Sequence, residues 1–310
     1  MKSKNLFFLL LLSLIFIFTS CGKKENQKSI KKIGVTLLTR AHIFYRDLED
    51  GLDSQADSNG YQLIITSADF DLGKQISQVE DFISRKVDAI IVCPVDSKGI
   101  GAAIEEANRA NIPVFTADIA AERGNVVSHI ASDNFAGGRL AGEYLAKLLN
   151  GKGEVAIVDQ PAITSVLDRV NGFKEAIAKY PDIKIVADVN GMGVRDRSLQ
   201  AATDVLQAHP KLAGIFGIND DSALGALDAV RQFDRKEISI VGYDATPPAR
   251  KAILEGSALK ADVVQYPVKI GETTIKEIKN YFEGRKVPAL VPVEVGIIDQ
   301  EFLKSNQQVE

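Results

Sequence analysis

Apolar residues recur along this chain in two alternating rhythms. Short unbroken runs rich in β-branched residues fall at 33–38, 61–66, 89–94 and 112–118, and such runs mark strands buried on both faces. Between them the apolar positions step by three and four: Leu48, Leu52 and Ala56; Ile76, Val79, Phe82 and Ile83; Ile100, Ala103, Ile104 and Ala107. That spacing puts each set on one face of a helix. Strands spaced by helical patterns of roughly 10–15 residues predict right-handed crossovers and a parallel sheet.

The stretch Val126-Val127-Ser128-His129-Ile130-Ala131-Ser132-Asp133-Asn134 begins as a buried strand and ends in residues whose side-chain oxygens suit a helix N-cap. Leu140, Ala141, Tyr144, Leu145 and Leu148 mark the next helix. After it the same rhythm returns, with strands predicted at 154–158, 183–188, 213–218, 238–243 and 259–264. A helix at 222–232 turns Leu224, Leu227 and Val230 inward, and a last long helix at about 268–282 uses Ile270, Thr274, Ile278 and Phe282. Residues 288–298 read as extended. Taken alone, the 126–134 stretch is either a crossing between lobes or an ordinary turn inside one domain. The two runs that flank it predict two doubly wound parallel-sheet α/β units.

Length and charge narrow the function. At 310 residues the chain can bury two cores. Its net charge of −4 comes with no long basic block, which argues against nucleic acid as a partner. With one of its two cysteines in the leader and the other, Cys93, in a predicted strand, no structural disulfide is expected. Three histidines and no tryptophan leave little material for a metal cluster, and no metal or cofactor is expected.

The N-terminus carries its own signal. Lys2 and Lys4 precede an apolar run at 6–18, closed by Thr19-Ser20-Cys21-Gly22. This pattern is a secretory leader over 1–20 whose core is short for a spanning helix. A Cys directly after small residues resembles the lipobox of bacterial lipoproteins, which implies a lipid on Cys21 and a membrane anchor, with 21–32 as lipidated Cys and solvated tether. Phe18 departs from the Leu usual three residues before that Cys. Plain cleavage near Ser20 and a retained anchor helix are the competing readings.

In open parallel sheets, ligands bind outside the carboxyl ends of the strands. Residues just past those ends form a coherent set: His42, Phe44 and Tyr45 after the first strand, Asp118 after the fourth, then Asn219-Asp220, Asp244 and Gln265, with Arg169 on a turn or early helix. Aromatic faces together with carboxylate, amide and guanidinium groups can grip vicinal hydroxyls while an apolar ring face lies on an aromatic. Taken singly, Asp118 and Asp220 would serve equally as helix N-caps, and Phe44 as the first core residue of its helix.

The motifs Val127-Ser128-His129-Ile130-Ala131-Ser132-Asp133-Asn134, Asn219-Asp220-Asp221-Ser222-Ala223-Leu224-Gly225-Ala226-Leu227 and Val241-Gly242-Tyr243-Asp244-Ala245-Thr246-Pro247 resemble the periplasmic ribose-binding protein family. These are the sugar-binding components of ABC importers, and the resemblance runs from about Ile33 to Ile298. It implies the periplasmic-binding-protein type I fold, with two lobes joined by a three-strand hinge near Ser132, Gln265 and Glu294. The implied lobes are 33–132 plus 266–294 and 133–265 plus 295–310. It implies sugar contacts at His42, Phe44, Tyr45, Asp118, Ile119, Arg169, Asn219, Asp244 and Gln265. It further implies a monomer in the periplasm or at the cell surface that delivers a monosaccharide or polyol to an ABC permease. His42 stands where that family usually has Asn, Ile119 where it has Arg, and near Met192-Gly193 a pocket aromatic is missing. A sugar-type ligand survives these departures; ribose as the ligand does not follow.

Other classes fit less well. Gly-x-Ser-x-Gly is absent, and Asp220-Asp221 would diverge at a helix start rather than face one bond, so an enzyme is not expected. Asn190-Gly191-Met192-Gly193 lacks the dinucleotide spacing. A LacI-type repressor would need a DNA-binding headpiece where the leader stands. No alternating Asp/Asn loop with a distal Glu supports calcium. A receptor that signals to a chemoreceptor or sensor kinase shares every feature of the importer reading.

Overall fold

A computed structural model describes residues 30–306. The expected leader, Cys21 and most of the tether lie outside the described residues. Strand β1 opens at Lys32, and that residue pairs with Gln62 of the neighbouring strand.

Strands and helices alternate through the first half: β1 (Lys32–Leu37), α1 (Ile43–Asn59), β2 (Gln62–Ser67), α2 (Leu72–Ser84), β3 (Ala89–Val92), α3 (Gly101–Arg109), β4 (Val114–Ala117) and β5 (Ser128–Ser132). The second half repeats the pattern with α4 (Asn134–Leu148), β6 (Lys152–Asp159), α5 (Thr164–Ile177), β7 (Asp182–Asn190), α6 (Arg195–Ala208), β8 (Leu212–Gly217), α7 (Asp220–Gln232), β9 (Ser239–Asp244), α8 (Pro247–Leu254) and β10 (Leu259–Val264). The chain ends with α9 (Pro267–Phe282), β11 (Leu290–Val293), β12 (Gly296–Asp299) and α10 (Gln300–Asn306).

These strands form two six-stranded sheets, in the orders β11-β5-β4-β3-β1-β2 and β12-β10-β9-β8-β6-β7. The first is parallel throughout, and in the second only β12 runs antiparallel, against β10. Strands β3 and β4 are buried at every position, which is why they read as unbroken apolar runs. The doubly wound α/β expectation is borne out. The chain leaves one sheet for the other after β5, after β10 and between β11 and β12.

Glycines set two close helix contacts. A Cβ on Gly51 of α1 would come within 2.1 Å of the Val268 carbonyl, so α9 lies almost backbone to backbone on α1. A Cβ on Gly138 of α4 would meet the Arg169 carbonyl at 1.9 Å, and one on Gly172 the Phe135 carbonyl at 2.1 Å. Only glycine lets α4 and α5 approach this closely, and that approach fixes where Arg169 stands.

Candidate functional site

The carboxyl ends of the two sheets face one cavity of about 490 Å³, its open mouth included. Its lining holds His42, Phe44, Tyr45, Asp118, Ile119, Arg169, Asn219, Asp244 and Gln265, so the structure brings every carried-over contact to one place. The two halves also touch directly at the lip. Ser97 Oγ donates to Thr164 Oγ1 at 3.2 Å, and Thr164 Oγ1 donates to the Ala120 carbonyl at 3.2 Å. Thr164 N donates to Ser97 Oγ at 3.1 Å, which completes a closed arrangement.

From the first sheet, His42 caps α1: its Nδ1 accepts from Phe44 N at 3.2 Å. The ring proton of the neutral imidazole therefore sits on Nε2. That nitrogen lies 3.5 Å from Asp244 Oδ2, across the cavity. The ring planes of Phe44 and Tyr45 cross at 77° with centroids 5.2 Å apart, giving an edge-to-face aromatic wall. The Tyr45 hydroxyl donates to Asp118 Oδ2 at 2.8 Å, while Asp118 Oδ1 is buried without a partner. Burial pushes the Asp118 carboxyl up to about 6; Arg169 and the Tyr45 bond oppose the rise and Asp244 adds to it. Burial first, and the Asp118 charge second, raise the Tyr45 phenol well above its ordinary value.

From the second sheet comes Arg169, buried in the second turn of α5. Its Nε donates to Asn134 Oδ1 and its Nη1 to the Ile218 carbonyl, both at 2.8 Å. Its guanidinium lies 3.9 Å from the centroid of the Tyr243 ring. Nη1 is also 3.8 Å from Asp244 Oδ1, which accepts from Gln265 Nε2 at 2.7 Å. Gln265 Oε1 is buried without a partner. Asn219 is less free than its position at a strand end promised. Its Oδ1 accepts from Ser222 N as the cap of α7, and its Nδ2 donates to the Gly193 carbonyl.

Asp118 and Asp244 end strands of opposite sheets, and both have left-handed backbones, with φ of 67° and 114°. Such positions cost about 1–3 kcal/mol each and persist where surrounding structure enforces them, commonly at ligand sites. Neither is a helix cap. Asp220 is a correction: it does not line the cavity but is buried at the start of α7, where Oδ2 accepts from Thr246 N at 2.6 Å. The cap expected at the end of the 126–134 stretch is Asp133, which accepts from Ala136 N, while Asn134 opens α4 and holds Arg169.

Several lining residues escaped the sequence reading. Gln160 stands directly past β6 and the strand-end rule would have found it; Ile163, Ser165 and Val166 come next on the same loop and helix. Phe70 lines the mouth with a left-handed φ of 64°, which no sequence signal announces for a Phe. Gly193 contributes backbone only, and Met192 is exposed.

Residues 33–286 match the family model described as periplasmic binding protein domain. The chain is 34% identical over 280 residues to the ribose import binding protein of Escherichia coli, covering 90% of this chain and 94% of that protein. A solute-binding protein from Actinobacillus succinogenes solved with bound D-allose superposes at a TM-score of 0.82 with 29% identity, over 89% of this chain and 99% of that one. The fructose-binding periplasmic domain of a hybrid two-component system gives 0.84 and 27%, over 90% and 94%. This chain belongs to the periplasmic binding protein family and, within it, to the family of the ribose-binding proteins.

Proposed function

We propose that this protein captures a monosaccharide or related polyol between two lobes and delivers it to an ABC permease. The observation that carries this is the pair of strained strand-end aspartates, Asp118 and Asp244, set from opposite sheets on one cavity with an aromatic wall beside them. Asp118 Oδ1 and Gln265 Oε1 are buried acceptors without donors, and burying such atoms is unfavourable until hydroxyls satisfy them. Relatives that import ribose or were solved with D-allose support the sugar class.

The lobes are 33–132 plus 266–294 and 133–265 plus 295–310. A ligand that touches both binds the closed form better than the open one and shifts the population toward it. A preference of about 10⁴-fold, near 5.5 kcal/mol, carries the protein from mostly open to mostly closed. A few hydrogen bonds to charged groups, at roughly 1.5–3 kcal/mol each, supply it. The permease then reads the closed shape. The N-terminal pattern supports a location in the periplasm or at the cell surface and a lipid on Cys21 as the anchor.

A second reading, in which the closed form signals to a sensor kinase, is favoured by the likeness to a fructose-binding sensor domain. Neighbouring genes decide between them: a permease with an ATPase, or a kinase. A thermal-shift screen of the purified protein against pentoses, hexoses, deoxysugars and cyclic polyols tests the binding reading. At least one should raise the melting temperature and be recovered chemically unchanged; a flat screen refutes it.

A further inference from the structure

The Asp118 end of the cavity is unlike the Asp244 end. Asp244 is ringed by donors: Gln265 Nε2 at 2.7 Å, His42 Nε2 at 3.5 Å and Arg169 Nη1 at 3.8 Å. A ligand there meets a carboxylate, an imidazole N–H and a guanidinium together, which suits a dense set of hydroxyls. At Asp118 one carboxylate oxygen is already engaged by the buried Tyr45 hydroxyl at 2.8 Å. Oδ1 alone is without a partner. The residue beside it, Ile119, is buried on the cavity lining and carries no donor.

The opposite lip adds to the same corner. Thr164 donates to the carbonyl of Ala120, the residue after Ile119, and its neighbour Ile163 lines the same cavity as Ile119 and Val166. A hydroxyl pressed against that wall would lose its water and gain no partner, which disfavours it there. A carbon there would instead be buried favourably.

We propose that the Tyr45 hydroxyl, by occupying Asp118 Oδ2 beside the Ile119 wall, makes this site select deoxy sugars: ligands that present one hydroxyl to Asp118 and a methyl or methylene next to it. The inference rests on the sugar-binding reading and specifies its ligand class. Tyr45 acts as a specificity residue because its O–H competes with a second ligand hydroxyl for the same carboxylate. Ile119 makes the vacated position apolar.

The test is calorimetric titration of matched pairs: D-ribose with 2-deoxy-D-ribose, D-galactose with D-fucose, and L-mannose with L-rhamnose. In wild type at least one deoxy member should bind tenfold or more tightly than its parent. Tyr45→Phe frees Asp118 Oδ2 and should narrow that ratio at least threefold, chiefly by strengthening the parent sugar. Ile119→Arg, which sets a donor fork beside Asp118, should narrow it further. The inference is overturned if every parent binds wild type at least as well as its deoxy partner, or if folded Tyr45→Phe leaves the ratio unchanged. Failure of all six sugars to bind overturns this inference, whereas only a flat screen across all the sugars and polyols overturns the sugar reading.

Discussion

Asp262 and Asp220 offer the sharpest test of the energetics behind the site. Asp262 lies within β10 and Asp220 at the start of α7, exposed by 0% and 1% respectively. Neither Asp262 oxygen, nor Asp220 Oδ1, meets an N–H or O–H donor within hydrogen-bond geometry. Two ionised carboxylates cannot share such a space, so one holds a proton and donates it to the other. Asp262 is the protonated member: burial raises it most, followed by the Asp220 charge, with Asp244 adding to the rise. The Ala245 N–H opposes this least of the causes and reaches neither oxygen as a full hydrogen bond. Burial also pushes Asp220 up to about 7, against the opposing hydrogen bonds from Asp262 and Thr246.

Both acids bind protons more tightly in the folded chain than in the unfolded one, where they titrate near 4. Stability contributed by the pair is therefore greatest at acid pH and falls as pH climbs from about 4 through about 7. Both shifts act in the same direction, so the cost of the pair grows as pH climbs through that range. Asp262→Asn supplies a donor that never ionises, so it removes the Asp262 part of that cost and should gain about 1–3 kcal/mol over wild type at pH 8 while changing little at pH 5. Urea unfolding of both proteins at pH 5, 6, 7 and 8 measures the difference. Asp118 and Asp159, each pushed up to about 6 chiefly by burial, and His129, held down to about 4 by burial, titrate in both proteins and cancel. A difference that does not grow with pH, or a variant clearly less stable than wild type at pH 8, refutes the shared proton.

Three further outcomes are expected. Asp244→Ala should weaken sugar binding by at least about 2–3 kcal/mol in calorimetry with the melting transition retained, since ligand donors lose a charged acceptor. Thr164→Val removes the lip bonds made by the Thr164 hydroxyl to Ser97 and Ala120, leaving that of its backbone N–H, and should weaken binding by about 1–2 kcal/mol; small-angle scattering should show a larger radius in the variant. Cys21→Ser should release the protein from membranes with sugar affinity unchanged, as fractionation and calorimetry together would show.

The strands and most of the cavity were legible because two simple physical rules cover them. Parallel strands buried on both faces read as apolar runs, and ligands gather past their carboxyl ends, which led directly to Asp118, Asp244 and Gln265. What escaped depends on contacts between distant segments. Asn134 looks like a cap until α4 and α5 are packed and its Oδ1 meets Arg169. Asn219 looks like a free ligand contact until Ser222 and Gly193 take its amide. Asp262 did leave a trace: a carboxylate inside Leu259–Val264, a strand with little exposed surface, needs a partner or a proton. The Tyr45–Asp118 bond left none, because spacing along a chain says nothing about which side of a carboxylate a phenol will reach.

The near-backbone contact between Gly51 and Val268 has a consequence for how the chain assembles. Helix α1 finds its neighbour α9 only after some two hundred residues have intervened, and β11 closes the edge of the first sheet later still. Local contacts can form early, yet the first lobe cannot be completed until the whole second lobe has been made, and such long-range closure is slow. The amino-terminal lobe should therefore be among the last parts to become rigid. A chain interrupted before Pro267 would keep a finished sheet of the second lobe, short only of its β12 edge, beside a first lobe with the apolar face of α1 laid bare.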